Sequence, residues 1–190
     1  MGGVSVTDAS HGCCRGGVDS ATDHDLFHSE EVAMEERVAH FLKENDVVFQ
    51  LVMHEAVFTC EDAHDVRVAG TTLKNLFVHD KAHDRFYLVT LPAEKRLDMK
   101  RLQEIAGSKR LSFGKAEDLL EKLGIEPGSV SPLCLLNNLE RDVKFFIDRA
   151  GWEAETVNIH PNENTASLVL DRENFHRLVN ALGAEIEIYE

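Results

Sequence analysis

Lys74 stands inside the apolar run Leu73–Val78, so a charged amine is placed in a strand that otherwise reads as buried. A buried ammonium needs either a carboxylate partner or a cleft that receives an anion. Both readings stand at this point: an internal ion pair, or a point charge for a phosphate. A second stretch, Gly128-Ser129-Val130-Ser131-Pro132, follows the turn signal Pro127-Gly128 and runs into Leu133-Cys134-Leu135-Leu136. Proline fixes its own φ and pushes Ser131 toward an extended conformation, so the loop is stiff and its N–H groups point in set directions. It is expected to deliver the chain onto a buried strand at Leu133. It is either an ordinary turn before the core or a rigid binding loop on a fixed scaffold. In a third stretch, His160-Pro161 closes one strand and Asn164-Thr165 opens the next, a polar turn suited to a ligand's hydroxyls.

Other chemistries have weaker patterns. Ten histidines invite a metal, and His79-x-x-x-His83 has the spacing of two ligands on one helical face. That pair falls between two strand patterns, where solvated loop histidines are expected. His54-Glu55 opens like a zinc-protease motif but lacks the second histidine at the required spacing. Cys60 lies at an expected helix start, which would lower a thiol pKa, yet no base is aimed at it by the sequence. Cys134, inside an apolar run, reads as core. No C-x-x-C occurs among Cys13, Cys14, Cys60 and Cys134, and adjacent cysteines do not readily bridge. No metal, no cofactor and no disulfide framework is expected, and the cysteine pattern implies a reduced, cytoplasmic protein.

The elements that must hold these residues follow from periodicity and caps. Residues 1–28, rich in Gly, Ser, Asp and Thr, read as a disordered leader, and residues 29–190 as one domain. Ser29 is expected to cap a helix running to about Asn45, and Val47 to Met53 reads as a strand. Thr59-Cys60-Glu61-Asp62 resembles a capping box. Leu73–Val78 and Arg85–Leu91 form an expected hairpin with a loop of about six residues, His79–Asp84. Asp98 caps a helix stopped by Gly107, Arg110–Phe113 reads as a short strand, and Lys115–Leu123 as a helix ended by Gly124. Val143–Ile147 and Thr156–Ile159 are strands around a turn at Arg149-Ala150-Gly151. Thr165–Leu170, a helix capped by Asp171, and a terminal strand Ile186–Tyr189 complete the chain. Strands outnumber helices and come partly in hairpins, which favours a single α+β domain over a doubly wound parallel sheet.

Composition narrows the partners. A 190-residue chain with 43% hydrophobic residues can bury a sizeable core. No apolar run reaches the roughly 20 residues that span a bilayer, and no signal-peptide order is present at the N-terminus. A net charge of −14 opposes broad nucleic-acid binding. The average hides a reversal: Leu73–Lys115 carries ten Lys or Arg against five acids, a local +5 beside −19 elsewhere. Such a segment is either an ordinary solvated surface or a face that grips one stretch of phosphate backbone.

Taken in order, Leu73-Lys74-Asn75-Leu76-Phe77, Pro127-Gly128-Ser129-Val130-Ser131-Pro132-Leu133 and His160-Pro161-x-x-Asn164-Thr165-Ala166 resemble the YbaK/ProX family of aminoacyl-tRNA deacylases. The resemblance spans roughly Glu35 to Glu190 and includes Gly107-Ser108-Lys109. Within the family it is most similar to the free-standing Ala-tRNA(Pro) deacylases, and so to the editing domain of bacterial prolyl-tRNA synthetases. The resemblance implies a mixed, mostly antiparallel sheet or partly closed barrel with flanking helices. It implies hydrolysis of the ester joining alanine to tRNA(Pro), with Cys-tRNA(Pro) deacylation or a non-catalytic tRNA-binding module as alternatives. Lys74 is then expected near the terminal adenosine's phosphate, Gly128 at the ester, and His160 in the same pocket, as the catalytic set. Ser129, Val130, Ser131, Pro132, Asn164, Thr165 and Phe58 are the expected substrate contacts, with Val57 and Met53 in the segment that lines the acyl pocket in relatives. Water positioned by the loop and by the substrate's ribose hydroxyl replaces a side-chain nucleophile. The expected partner is the acceptor end of aminoacylated tRNA(Pro), with prolyl-tRNA synthetase as a second candidate and neither membrane nor DNA.

Overall fold

Two strands at the centre show why the chain folds as it does. In Arg85–Pro92, Phe86 and Leu88 face one apolar cluster while Tyr87 and Val89 face another. In Val143–Asp148, Phe145 and Ile147 face the first and Phe146 the second. Strands covered on both faces are mostly apolar, which is why Phe86–Leu91, broken only by Thr90, and Phe145–Ile147 read as hydrophobic runs. A computed structural model describes residues 34–54 and 68–190 of the chain.

The strands are β1 (Gln50–Met53), β2 (Thr71–Asp80), β3 (Arg85–Pro92), β4 (Leu111–Phe113), β5 (Val143–Asp148), β6 (Thr156–Ile159), β7 (Ala166–Asp171) and β8 (Ile186–Tyr189). They form one open sheet in the order β1-β7-β6-β2-β3-β5-β8, with β4 also paired to β2. Four ladders are antiparallel and three, β2/β6, β3/β5 and β5/β8, are parallel. The α+β class and mixed sheet stand as expected; the open order replaces the alternative of a partly closed barrel.

Helices α1 (Glu36–Glu44), α3 (Ala116–Leu123) and α5 (Arg172–Ala181) send Val38, Leu42, Leu119, Leu123, Phe175 and Leu178 into the larger cluster. Helix α2 (Met99–Ala106) sets Leu102 on the opposite face, against Val78, Tyr87, Val89 and Phe146. Its start is the predicted one: Asp98 accepts from the N–H groups of Lys100 and Arg101, and Gly107 ends it at φ +65°.

Four local expectations are corrected. Pro132–Asn137 is a buried 3₁₀ helix and not a strand. Ser131 Oγ accepts from Leu133 N and proline occupies the first helical position, a helix-start signature; an apolar run buried all round hides its period. The β2–β3 connection is a four-residue turn, because Asp80 pairs with Arg85 and its carboxylate accepts from Ala82 N. Arg149–Trp152 is a short helix, α4, capped by Asp148. Helix α1 begins at Glu36, with Met34 and Glu35 outside it, so the expected start at Ser29 does not hold. The leader 1–28, the Thr59–Asp62 capping box, Cys13, Cys14, Cys60, Val57 and Phe58 lie outside the described residues. No helix among the described residues is long and apolar enough to cross a membrane.

Candidate active site

The parallel ladder between β2 and β6 is short. It pairs Thr71 with Val157 and Thr72 with Asn158, and there it stops. Further along the same edge of β2, β4 takes over at Val78–Asp80. Between these two ladders, residues 73–76 of β2 have no strand beside them on that edge among the described residues, and Val130 of the Gly128–Pro132 loop bonds to Asn75 there. Asn75 Nδ2 donates to Val130 O at 3.0 Å, and Ser131 Oγ donates to the carbonyl of His160. The loop is therefore fastened to β2 on one side and to the end of β6 on the other.

Each fastening has a local cause. Asn75 is oriented by Thr90 on β3, its register partner, whose hydroxyl donates to Asn75 Oδ1. Thr90 is a fully buried hydroxyl in an apolar strand, and this bond satisfies it. Ser131, also fully buried, caps the 3₁₀ helix and grips β6 with the same Oγ. Cys134 beneath it points its Sγ at Ser131 O at 2.7 Å, and burial pushes its thiol up to about 12; it is core, as expected. Gly128 sits at φ +103°, a conformation L residues avoid, although a Cβ there would meet nothing within 4 Å. Among the described residues, the N–H groups of Gly128, Val130 and Ser131 find no acceptor.

Two residues past Thr72 on β2 stands Lys74, and two past Asn158 on β6 stands His160. Parallel register places both on the sheet face opposite Val157 and Ile159, which belong to the larger cluster. Continuing the β6/β7 and β1/β7 ladders adds Ser167 and His54 to that face. His54 Nε2 and Ser167 Oγ are 2.9 Å apart, and the His54 and His160 rings meet edge to face at 6.0 Å. One row across four strands thus carries His54, Ser167, His160 and Lys74.

His160 Nδ1 donates to Ala166 O at 3.1 Å, which places the proton on Nδ1 and leaves Nε2 as an acceptor. Burial, with His54 nearby, holds its pKa below the ordinary 6.5, so the ring is neutral at physiological pH. Lys74 Nζ donates to Ala93 O at 2.7 Å. Among the described residues no carboxylate pairs with it, so the internal ion pair is not found. An ammonium has three donors, and a carbonyl dipole holds one without cancelling the charge.

The remaining expected residues fall around this row. Ser129 and Val130 are half-buried in the loop, and Pro132 is buried beneath it. Thr165 O accepts from His54 N at 2.9 Å, and Asn164 is half-buried in the same turn. Met53 is exposed on edge strand β1. The suggested metal pair separates: His79 is on β2, stacked on Phe86 and bonded to Asp84, whereas His83 is bonded to Asp80. Among the described residues no three His, Cys, Asp or Glu side chains assemble as a metal site. Sequence reasoning missed Asn75, Thr90 and Ser167 as positioning groups and weighed His54 as the start of an incomplete zinc-protease motif. One signal was available, a lone threonine in the run Phe86–Leu91.

Residues 54–178 match the family model described as an aminoacyl-tRNA editing domain. The chain is 32% identical over 151 residues to the prolyl-tRNA editing protein ProX of Acetoanaerobium sticklandii, covering 78% of this chain and 92% of that one. It is 36% identical over 140 residues to the mouse prolyl-tRNA synthetase associated domain-containing protein 1, covering 70% and 82%. A structure solved as a candidate trans-editing enzyme for prolyl tRNA synthetase superposes with a TM-score of 0.62 at 19% identity, over 80% of this chain and 93% of that one; at that identity the likeness concerns the fold.

Proposed function

This chain belongs to the aminoacyl-tRNA editing domain family, and on that premise we propose that it is a trans-editing hydrolase that cleaves the ester of Ala-tRNA(Pro). The observation that supports this most is the Gly128–Pro132 loop, tied to Asn75 of β2 and to the His160 carbonyl. Its Gly128, Val130 and Ser131 N–H groups meet no acceptor among the described residues, next to the strand ends that carry Lys74 and the neutral His160 ring.

In this reading Lys74 meets the phosphate of the terminal adenosine as a point charge. The alanyl ester lies against Gly128–Pro132, with Asn164, Thr165 and Phe58 at its border. Water adds to the ester carbon, and the negative charge that develops on the carbonyl oxygen is met by N–H groups of the loop. One such donor is typically worth about 3 kcal/mol of transition-state stabilisation. His160 Nε2 accepts a hydrogen bond from the water or from the ribose hydroxyl that holds it. The intermediate then expels the ribose oxygen, which takes a proton, leaving alanine and intact tRNA.

The need for such an enzyme follows from binding. A pocket built for proline rejects the smaller alanine weakly, because missing methylenes are worth only about 1–3 kcal/mol. A second site that admits alanine and excludes proline restores accuracy. The acceptor end of tRNA(Pro) is the proposed partner, acting in the cytoplasm beside prolyl-tRNA synthetase, and residues 29–190 are proposed as the editing domain. The test is deacylation of tRNA(Pro) charged separately with alanine, cysteine and proline. Loss of alanine alone supports the proposal, and loss of cysteine alone moves the protein to the sister specificity. Binding without hydrolysis of any of the three would leave a non-catalytic module.

A further inference from the structure

We infer that His54, held by Ser167, is a positioning residue that fixes the His160 ring in the orientation needed for its Nε2 to serve the ester. The inference rests on the proposed editing reaction, in which His160 Nε2 accepts from the water or the ribose hydroxyl. It assigns a task to two polar side chains that the proposed chemistry does not itself use.

Both histidines hang on three consecutive residues, Thr165–Ser167, where β7 begins. His54 N donates to Thr165 O at 2.9 Å, His160 Nδ1 donates to Ala166 O at 3.1 Å, and His54 Nε2 shares a 2.9 Å hydrogen bond with Ser167 Oγ. That segment is fixed on both sides. Ala166 and Ser167 pair with Met53 and Val52 of β1, and the adjoining Leu168 pairs with Ile159 of β6. The two imidazoles therefore share one rigid template, and they meet edge to face with ring centres 6.0 Å apart and planes at 67°. A single bond at Nδ1 leaves the His160 ring free to tilt about it. A second ring packed from the side removes that freedom.

Stability alone gives no reason for the Ser167–His54 pair. Ser167 is buried and His54 half-buried, so both are desolvated before they bond. An apolar pair of the same shape would serve packing about as well. What a satisfied polar pair adds is a defined geometry: the Ser167 bond makes His54 present its ring at one angle. In this account His54 acts through His160 and not beside it.

The test compares hydrolysis of Ala-tRNA(Pro) by the full chain with that by His54→Ala, Ser167→Ala and the pair His54→Phe/Ser167→Ala. The His54→Ala change is also made in the His160→Asn background. The Phe pair keeps an aromatic ring against His160 and removes the hydroxyl that this ring would leave unbonded. Thermal melts set the folded fractions. Long-range proton–nitrogen NMR spectra of the imidazoles read the His160 tautomer, assigned by difference from His160→Asn. The expected result is kcat lowered about tenfold by His54→Ala and about threefold by Ser167→Ala, with KM unchanged. The Phe pair should recover kcat to within about threefold of the parent. In the His160→Asn background His54→Ala should cost nothing further, because a residue that acts through another has no effect once that other is gone. His160 should be a single Nδ1–H tautomer in the parent and in the Phe pair, and a mixture in His54→Ala. An unchanged His160 spectrum in His54→Ala, or losses that add in the His160→Asn background, would overturn the inference. A Phe pair as slow as His54→Ala would overturn it too, since the imidazole itself would then be at work. If the parent spares Ala-tRNA(Pro) the editing proposal fails, and the spectra still decide whether His54 fixes the His160 ring. If His54→Ala fails to fold, Ser167→Ala and the Phe pair carry the test.

Discussion

Two polar clusters in this molecule are built from similar groups and end in opposite states. Around Asp80 a single buried carboxylate accepts from three side chains and one N–H, and nothing is left over. Those bonds hold its pKa far below the ordinary carboxylate range although burial alone would raise it, and the neighbouring Tyr87 phenol is pushed up to about 12. Around the Gly128 loop the bonds run to the scaffold, through Asn75 and Ser131, while three N–H groups and one imidazole nitrogen have no acceptor or donor among the described residues. A saturated network fixes shape. An unsaturated network on a fixed frame is where a substrate's polar atoms fit.

The sharpest way to break this contrast is to damage each cluster and read activity and stability together. Gly128→Ala forces a side chain onto φ +103° and turns the loop N–H groups. Turnover of Ala-tRNA(Pro) should drop about 100-fold, the size of losing one oxyanion donor, while the melting cooperativity is kept. Asp80→Asn should do the reverse. It should lose about 1.5–3 kcal/mol of stability, the range for hydrogen bonds to a charged group, with kcat at saturating substrate unchanged. The pH sign follows from the depressed pKa: this stability is present above the unfolded value of 3.8 and is lost as pH falls below it. Denaturant titrations at pH 7 and pH 3 on parent and variant check both parts.

Smaller effects sharpen the comparison. Asn75→Ala removes the tether to Val130 O and should slow single-turnover hydrolysis about fivefold, corresponding to about 1 kcal/mol, with a minor change in KM. For His160 the depressed pKa makes the neutral ring the working form, so rate should be flat near neutrality and decline only at a pH below 6.5. His160→Asn should abolish that acidic limb. Because the folded histidine resists protonation, parent stability should also fall as pH drops through 6.5 toward the folded value.

Much of the fold was legible where local chemistry and tertiary packing agree. Asp98 and Asp171 announced their helices because side-chain caps are local bonds, and Gly107 and Gly124 ended theirs in the left-handed region. Pro132–Asn137 was illegible as a helix because every side chain from Pro132 to Leu135 is buried, which erases the period that separates helix from strand. Of the proposed site, the sequence pointed to Lys74, the Gly128 loop and His160 as separate stretches, and the structure ties the loop to the neighbouring Asn75 and to the His160 carbonyl. The site's assembly was not legible. The placing of Lys74 and His160 on one face follows from a parallel ladder that stops at Thr72, and the tether from Asn75 to Val130 spans 55 positions. No periodicity or spacing encodes either. His54 was misjudged for the same reason, since its place beside Ser167 and His160 comes from β1 pairing with β7.

The central claim is that the loop filling the β2/β6 gap is where the ester is hydrolysed. Single-turnover loss of alanine from Ala-tRNA(Pro), measured for the parent, Lys74→Ala and Gly128→Ala at matched folded fractions, tests it most directly. The account predicts rapid loss with the parent, weakened binding with a reduced salt slope for Lys74→Ala, and a rate defect at saturating enzyme for Gly128→Ala. Parent-like rates in both variants would contradict it and place the chemistry elsewhere on the chain.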